Sequence, residues 1–158
     1  MNLTKSQSVS LFVLRILIGW HFLYEGLVKV QNPDWTSAGY LMDSKWILSG
    51  FFQMLAENPS ILNFVDFLNQ WGLVLIGIGL ILGLFTRWMA FAGMALISLY
   101  YLSSPPLIGL EYSVPTEGNY LVVNKNLIEA AALLLLAVFP AGHQYGLDLL
   151  LGNKKRVI

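Results

Sequence analysis

The sequence predicts an all-α membrane protein: a four-transmembrane-helix antiparallel bundle with a long outer loop containing a short amphipathic helix. Three observations predict it. Hydrophobic residues make up 56% of the 158 residues and charged residues only 11%, against roughly 25% charged in an ordinary soluble domain. Four apolar stretches, Ser8 to Val30, Phe67 to Phe85, Trp88 to Leu102 and Leu127 to Tyr145, reach or approach the ~20 residues needed to cross a hydrocarbon core. Turn-forming residues separate them, and residues 1–158 read as one domain with no internal repeat and no low-complexity tract.

The opening "MNLTKSQSVSLFVLRILIGW" has a weak basic start and an apolar run, but Arg15 interrupts it and no small-x-small cleavage pattern follows, so it reads as a retained first span. In the connection after that span, "SKWILSGFFQMLAENP" places Trp46, Ile47, Phe51, Phe52 and Leu55 on one helical face, a pattern that suits a helix lying in the interface plane or capping the bundle. Asn58 and Pro59 end it, and Ser60 is the expected cap of the next helix, which carries Asp66 and Asn69 near its outer mouth. Gly72, Gly77, Gly79 and Gly83 permit close backbone approach in the second span; Gly79 and Gly83 form a GxxxG pair, read here as bundle packing. Only Thr86 and Arg87 separate the second and third spans, which requires a tight antiparallel hairpin. Pro105 and Pro106 end the third span early, and the loop "SSPPLIGLEYSVPTEGNYLVVNK" brings Tyr112 and Tyr120 to the same side as the first long connection.

Loop charges set the expected orientation. With the N-terminus cytoplasmic, that side holds Lys5, Arg87, Lys154, Lys155 and Arg156, which outnumber Lys29, Lys45 and Lys125 on the other. The chain is therefore expected in a bacterial cytoplasmic (inner) membrane as a multi-pass protein, with membrane lipid around it and both termini cytoplasmic. Trp20, Trp35, Trp46, Trp71 and Trp88 fall mostly near span ends, as an interface belt requires.

Composition also excludes. Nine basic and nine acidic residues cancel, so no surplus of positive charge exists to neutralise a phosphate backbone, and nucleic acid is not an expected partner. With no cysteine, the chain forms no disulfide, no thiolate metal site and no CxxC exchange centre. Only two histidines occur, His21 and His143, placed near opposite faces, so no metal or haem is expected within one chain.

Against this apolar background, "LRILIGWHFLYEGLVKV" contains Arg15, His21, Glu25 and Lys29. At about 100° per residue they fall within about one third of the helix circumference, and Glu25 is four residues from both His21 and Lys29. Ionisable groups at membrane depth cost roughly 3 kcal/mol each on insertion scales, so they are expected to face the bundle interior or water. Depth sharpens the pattern: at about 1.5 Å per residue, Glu25 lies a little over one turn below Val30, and Glu129 a similar distance below Asn124. Asn69, Tyr100 and Tyr101 reach about that level, with Lys29 and Lys125 just above it. Two carboxyls close together in a low dielectric cannot both ionise cheaply unless a lysine compensates. Such a site suits a quinone, whose electron transfer is matched by proton movement, and it also suits a proton relay in a transporter. The plainer alternative pairs Glu25 with Lys29 and Glu129 with Lys125, fixing helix register only. Arg15 is expected to snorkel to the inner headgroups, and His21 to serve as an acid or base or to bond a neighbouring helix.

With these residues in place, the chain resembles the DoxX/DoxD family of small bacterial membrane proteins. The opening segment is similar to the family's Arg, Gly and Gly-x-x-Lys pattern through Arg15, Gly19, Gly26 and Lys29. The segments "NPDWTSAGYL", "GLILGLFTRWMAFAG" and "EGNYLVVNKNLIE" are similar to the longer DoxD-type members, the last closing on Glu129. Members related to DoxD serve as the small subunit of a thiosulfate:quinone oxidoreductase. The resemblance implies a four-helix membrane subunit that passes electrons from a partner oxidoreductase subunit on the extracytoplasmic side to the quinone pool. On this reading Glu25 and Glu129 handle protons, and His21, Tyr24, Lys29, Asn69, Tyr100 and Lys125 line a quinone site. A proton-coupled carrier of a small solute, which would have to form a homo-oligomer, and a non-catalytic anchor for a periplasmic enzyme are the alternatives.

Overall fold

A computed structural model describes residues 3–113, 121–139 and 145–152. All regular elements among these residues are helices: α1 (Lys5–Gln31), α2 (Ala38–Met42), α3 (Ser49–Glu57), α4 (Pro59–Leu82), α5 (Thr86–Ser103), α6 (Lys125–Val138) and α7 (Asp148–Gly152). The expected tail cations Lys154, Lys155 and Arg156, together with Tyr120 and His143, lie outside the described residues.

Capping explains why the first two long helices begin earlier than their apolar runs. Thr4 closes a reciprocal box with Gln7, so α1 starts ahead of Ser8. Asn58, not Ser60, caps α4: its side chain accepts from the backbone N–H groups of Ser60 and Ile61, and Pro59 occupies the first turn, where its missing N–H costs nothing. The results are helices of 27 and 24 residues, about 40 and 36 Å long, and both are apolar and long enough to cross a membrane. The expected third and fourth spans are shorter. Pro105 and Pro106 follow α5 at 18 residues, and α6 has 14 residues, about 21 Å, ending at Val138 rather than Tyr145. Between α1 and α4, α3 buries Phe52 but leaves Phe51 exposed, and Ile47, expected on the same helical face, lies exposed ahead of its start.

The main pairings are α1 with α4 and α5 with α6; α4 also meets α5, and α1 meets α6. Phe22, Leu73, Leu80, Ala90, Ile97, Leu133 and Leu136 form the shared core. Glycine sets the α1–α4 crossing. A Cβ added at Gly77 would lie 2.5 Å from the Leu23 nitrogen and 2.8 Å from the Gly19 carbonyl oxygen, and one at Gly26 would lie 2.7 Å from the Val74 nitrogen. Those neighbours are backbone and cannot give way, so the expected packing role of the second-span glycines holds at Gly77, whereas Gly72 faces open space.

At the α4–α5 turn, Gly83 adopts a left-handed conformation (φ 66°), and its following N–H groups close back onto the end of α4. Here the structure corrects the expectation for Arg15. Its side chain is 1% exposed rather than extended toward headgroups. The guanidinium lies against Gly83, stacks on Phe12 at 5.4 Å, and donates to the Tyr145 carbonyl at 2.5 Å. Asp148 completes the junction by accepting from the backbone N–H groups of Phe85 and Thr86 at 2.7 and 3.0 Å. The buried cation is offset by the Tyr145 carbonyl and by the nearby charge of Asp148, both from the far end of the chain; snorkelling is the option when no such partner exists.

Gly77→Ala should destabilise the protein by about 1–3 kcal/mol through overpacking at the crossing, seen as a lower melting temperature in detergent. Gly72→Ala, whose added methyl meets nothing within 4 Å, should stay within about 0.5 kcal/mol of the parent.

Candidate functional site

At the opposite end of the helices from Arg15, the i, i+4 spacing of His21, Glu25 and Lys29 places them on one face of α1, and that face lines a cavity of about 110 Å³. Phe22 joins them from the same helix. Leu73 of α4 and Ile97 of α5 supply apolar wall, Tyr100 of α5 adds a phenol, and Lys125 and Asn126 close the rim. The last two reach the rim because Asn124 caps α6 there, accepting from the Leu127 N–H at 3.1 Å, so the first turn of that helix starts at the cavity.

Two ionisable pairs organise the site. Lys29 Nζ meets Glu25 Oε2 at 2.7 Å within α1, while also lying 5.7 Å from the centre of the Trp35 ring. His21 Nδ1 meets Glu129 Oε1 at 2.8 Å, joining α1 to α6. Glu129 is 8% exposed, and its second oxygen, Oε2, is buried with no hydrogen-bond partner among the described residues. The two carboxyls therefore belong to one site through different partners: Glu25 lines the cavity directly, and Glu129 reaches it through the imidazole.

Tyr100 presents a second polar centre. Its carbonyl accepts from the Tyr40 hydroxyl at 2.8 Å, and the two rings meet edge to face. The Asn69 side chain approaches the Tyr100 hydroxyl, yet Asn69 Oδ1 and Tyr100 Oη both lack a partner with hydrogen-bonding geometry and are buried. Polar atoms removed from water without a partner are rare in folded proteins, and each needs an explanation such as an ordered water or a ligand.

Of the residues expected from sequence, His21, Glu25, Lys29, Tyr100 and Lys125 line one cavity, Glu129 bonds one of them, and Asn69 sits behind Tyr100. Tyr24 does not join them. It is 58% exposed on the outer surface of α1, about 100° around the helix from Glu25. Phe22, Leu73, Ile97 and Asn126 escaped the sequence reading; the first three are apolar residues that look like core in any helical pattern, whereas Asn126 was signalled only by its place beside Lys125. Among the described residues, no three His, Cys, Asp or Glu side chains are close enough to hold a metal ion.

Outside the cavity, a latch joins the segment between α2 and α3 to the loop that follows α5. Asp43 accepts from the backbone N–H and the hydroxyl of Ser113 at 2.5 and 3.3 Å, Lys45 pairs with Asp43 at 3.3 Å and donates to the Glu111 carbonyl, and Tyr112 donates to the Pro105 carbonyl. Burial, with the nearby Tyr40 and Asp43, pushes the Tyr112 phenol above its usual range.

The described residues form helices throughout, two of them apolar and long enough to cross a membrane, with a polar cavity at one end of their crossing. The DoxX family model matches residues 10–102, more than half of the chain, and the chain belongs to the DoxX family. That match contains His21, Glu25, Lys29, Asn69 and Tyr100, while Lys125 and Glu129 lie beyond it. No curated protein and no solved structure matches the chain.

Tyr100→Phe removes an unpartnered buried hydroxyl, so the unliganded protein should be as stable as the parent or up to about 1 kcal/mol more stable. A thermal melt in detergent checks this, and a clear loss of stability would show that the hydroxyl has a partner.

Proposed function

We propose that the chain is the membrane subunit of an oxidoreductase system, built as a four-span bundle in the bacterial inner membrane with both termini cytoplasmic, and that its cavity holds the ring of a quinone. The observation that carries the reading is the convergence of hydrogen-bonding groups from α1, α5 and α6 on a cavity with apolar walls, with the Tyr100 hydroxyl buried and unpartnered at its edge. A flat ring bearing two oxygens needs this combination: Phe22, Leu73 and Ile97 for its faces, and Tyr100, His21, Lys29 or Lys125 as donors to its oxygens. The volume of about 110 Å³ is below that of a site enclosing a drug-sized molecule, so the ring enters and an isoprenoid tail stays among lipid.

A bound quinone supplies chemistry in which two electrons are matched by two protons. The chain's own residues supply the proton handling. Glu25, held beside Lys29, sits at the rim side of the cavity, and Glu129 acts through His21. Electrons come from a partner oxidoreductase on the extracytoplasmic side, where the loops joined by Asp43, Lys45 and Ser113 form the accessible surface. Membership of the DoxX family supports the association with oxidoreductase systems. The carrier alternative receives less support, because Leu80, Leu133 and Leu136 are completely buried between this cavity and the Arg15 junction and fill the route a solute would take.

Binding of a short-tailed benzoquinone to the protein in lipid nanodiscs, or quinone-dependent turnover with its partner, should weaken at least about tenfold in Glu25→Gln and in Glu129→Gln while both variants remain folded. Wild-type binding or turnover in both variants would remove the proposed role.

A further inference from the structure

We infer that His21 is the residue that takes and returns a proton at the cavity, through Nε2, and that Glu129 is a positioning residue that holds the imidazole from behind. The inference deepens the quinone-site reading and depends on it only for the identity of the molecule that shares the proton.

Geometry divides the imidazole into two sides. Nδ1 is engaged by Glu129 Oε1 at 2.8 Å, on the side facing α6. The ring is 30% exposed and lines the cavity, so Nε2 is the nitrogen left to face it. An ionised carboxylate offers only acceptors, so in this contact Nδ1 carries the proton and Glu129 accepts. That assignment leaves the Nε2 lone pair directed to the cavity when the ring is neutral. A proton arriving there forms an N–H bond at Nε2, and the positive charge it creates lies against the Glu129 carboxylate. On return, the same N–H bond breaks and the proton passes to the oxygen facing it. No electron moves on His21 in either direction.

Surroundings support one role for each group. Glu25 already bonds Lys29 at 2.7 Å on the same helix, so its charge is compensated locally. Glu129 is almost fully buried, and its only described polar contact is His21, which leaves it out of reach of anything in the cavity except through the ring. A carboxylate behind a histidine fixes both the ring orientation and the tautomer, and raises the basicity of the opposite nitrogen. Around the ring, Glu25, Lys29, Tyr100 and Lys125 are the other titratable groups lining the cavity.

The test uses nitrogen NMR of the full chain in lipid with ¹⁵N-labelled histidine. The chain has two histidines, so His143→Gln leaves one ring to observe. With the ring neutral, this protein should carry its proton on Nδ1 and show a bare Nε2. Adding Glu129→Gln should move most of the population to the Nε2–H tautomer, and Glu25→Gln should leave it on Nδ1. An Nε2–H ring in the protein with Glu129 intact overturns the proposal even if the Glu129 variant fails to fold, and an unchanged tautomer in Glu129→Gln overturns it too. A purely structural role for Glu129 would not move the proton. Adding a short-tailed benzoquinone to the same sample separates the two readings. A shift of the Nε2 resonance in a ring protonated at Nε2 would keep the ring site and reject the dyad, whereas an Nδ1–H ring unaffected by quinone would keep the dyad and reject the ring site.

Discussion

A charge taken out of water must find its partner inside the same molecule, and two such matches, with a third at the cavity, shape the arrangement of these helices. Ionisable groups at membrane depth cost several kilocalories each when left alone, and removing one member of a buried pair costs about 3–5 kcal/mol because the other remains. Arg15 meets the Tyr145 carbonyl with Asp148 close by, His21 meets Glu129, and Glu25 meets Lys29. The first two matches join α1 to the last part of the chain, at opposite ends of the core. A rotation of α1 that kept one would break the other. The third lies within α1, with the Glu25 side chain 44% exposed, and completes the stripe at the cavity without itself setting the rotation of the helix.

Glycine then decides how close the second helix comes. With Gly19 and Gly26 on α1 and Gly77 on α4, the backbones approach until a single added methyl would collide with main-chain atoms. In lipid, where apolar burial between helices gives little net drive, close packing of this kind is a principal source of association. The crossing also brings Leu73 and Asn69 beside the α1 stripe, and α5 packs on the other side of α4 with Tyr100 at the same level. Cavity and crossing are thus neighbours on one helix: Gly19 and Gly26 touch α4, while His21, Glu25 and Lys29 on the same stretch of α1 line the cavity.

Much of this was legible from the letters, and the parts that were not share a cause. Helical period made the inward face of α1 readable, since residues 21, 25 and 29 recur at one angle; the same period applied to Tyr24 puts it well round from Glu25, on the outer surface where the structure has it. Depth was also readable, because rise per residue is constant, and it brought Asn69, Tyr100, Lys125 and Glu129 to the right level. Rotation of one helix relative to another was not. One residue of rotation turns a side chain by about 100°, so spacing alone left open whether Glu129 pairs within its own helix or reaches His21 across the bundle. Arg15 failed for a related reason: its partner is a backbone carbonyl 130 residues away, and a carbonyl leaves no mark in a sequence. The helix starts at Lys5 and Pro59 depended on Thr4 and Asn58, polar residues outside the apolar runs used to draw the spans.

Among the described residues six buried side-chain polar atoms lack partners, and three of them belong to the candidate site: Tyr100 Oη at the cavity, Asn69 Oδ1 behind it and Glu129 Oε2 behind His21. Each costs about 1–3 kcal/mol, and together they are a sizeable share of the 5–15 kcal/mol that typically separates a folded chain from an unfolded one. Stability alone would favour phenylalanine at 100 and an aliphatic residue at 69, since Leu80, about three turns along α4 from Asn69, and Leu133 and Leu136, one and two turns along α6 from Glu129, have no exposed surface. Tyr100 is the one of the three that lines the cavity, and its hydroxyl can donate, so a hydrogen-bond acceptor against the wall formed by Phe22, Leu73 and Ile97 is the partner that the proposed ring would supply.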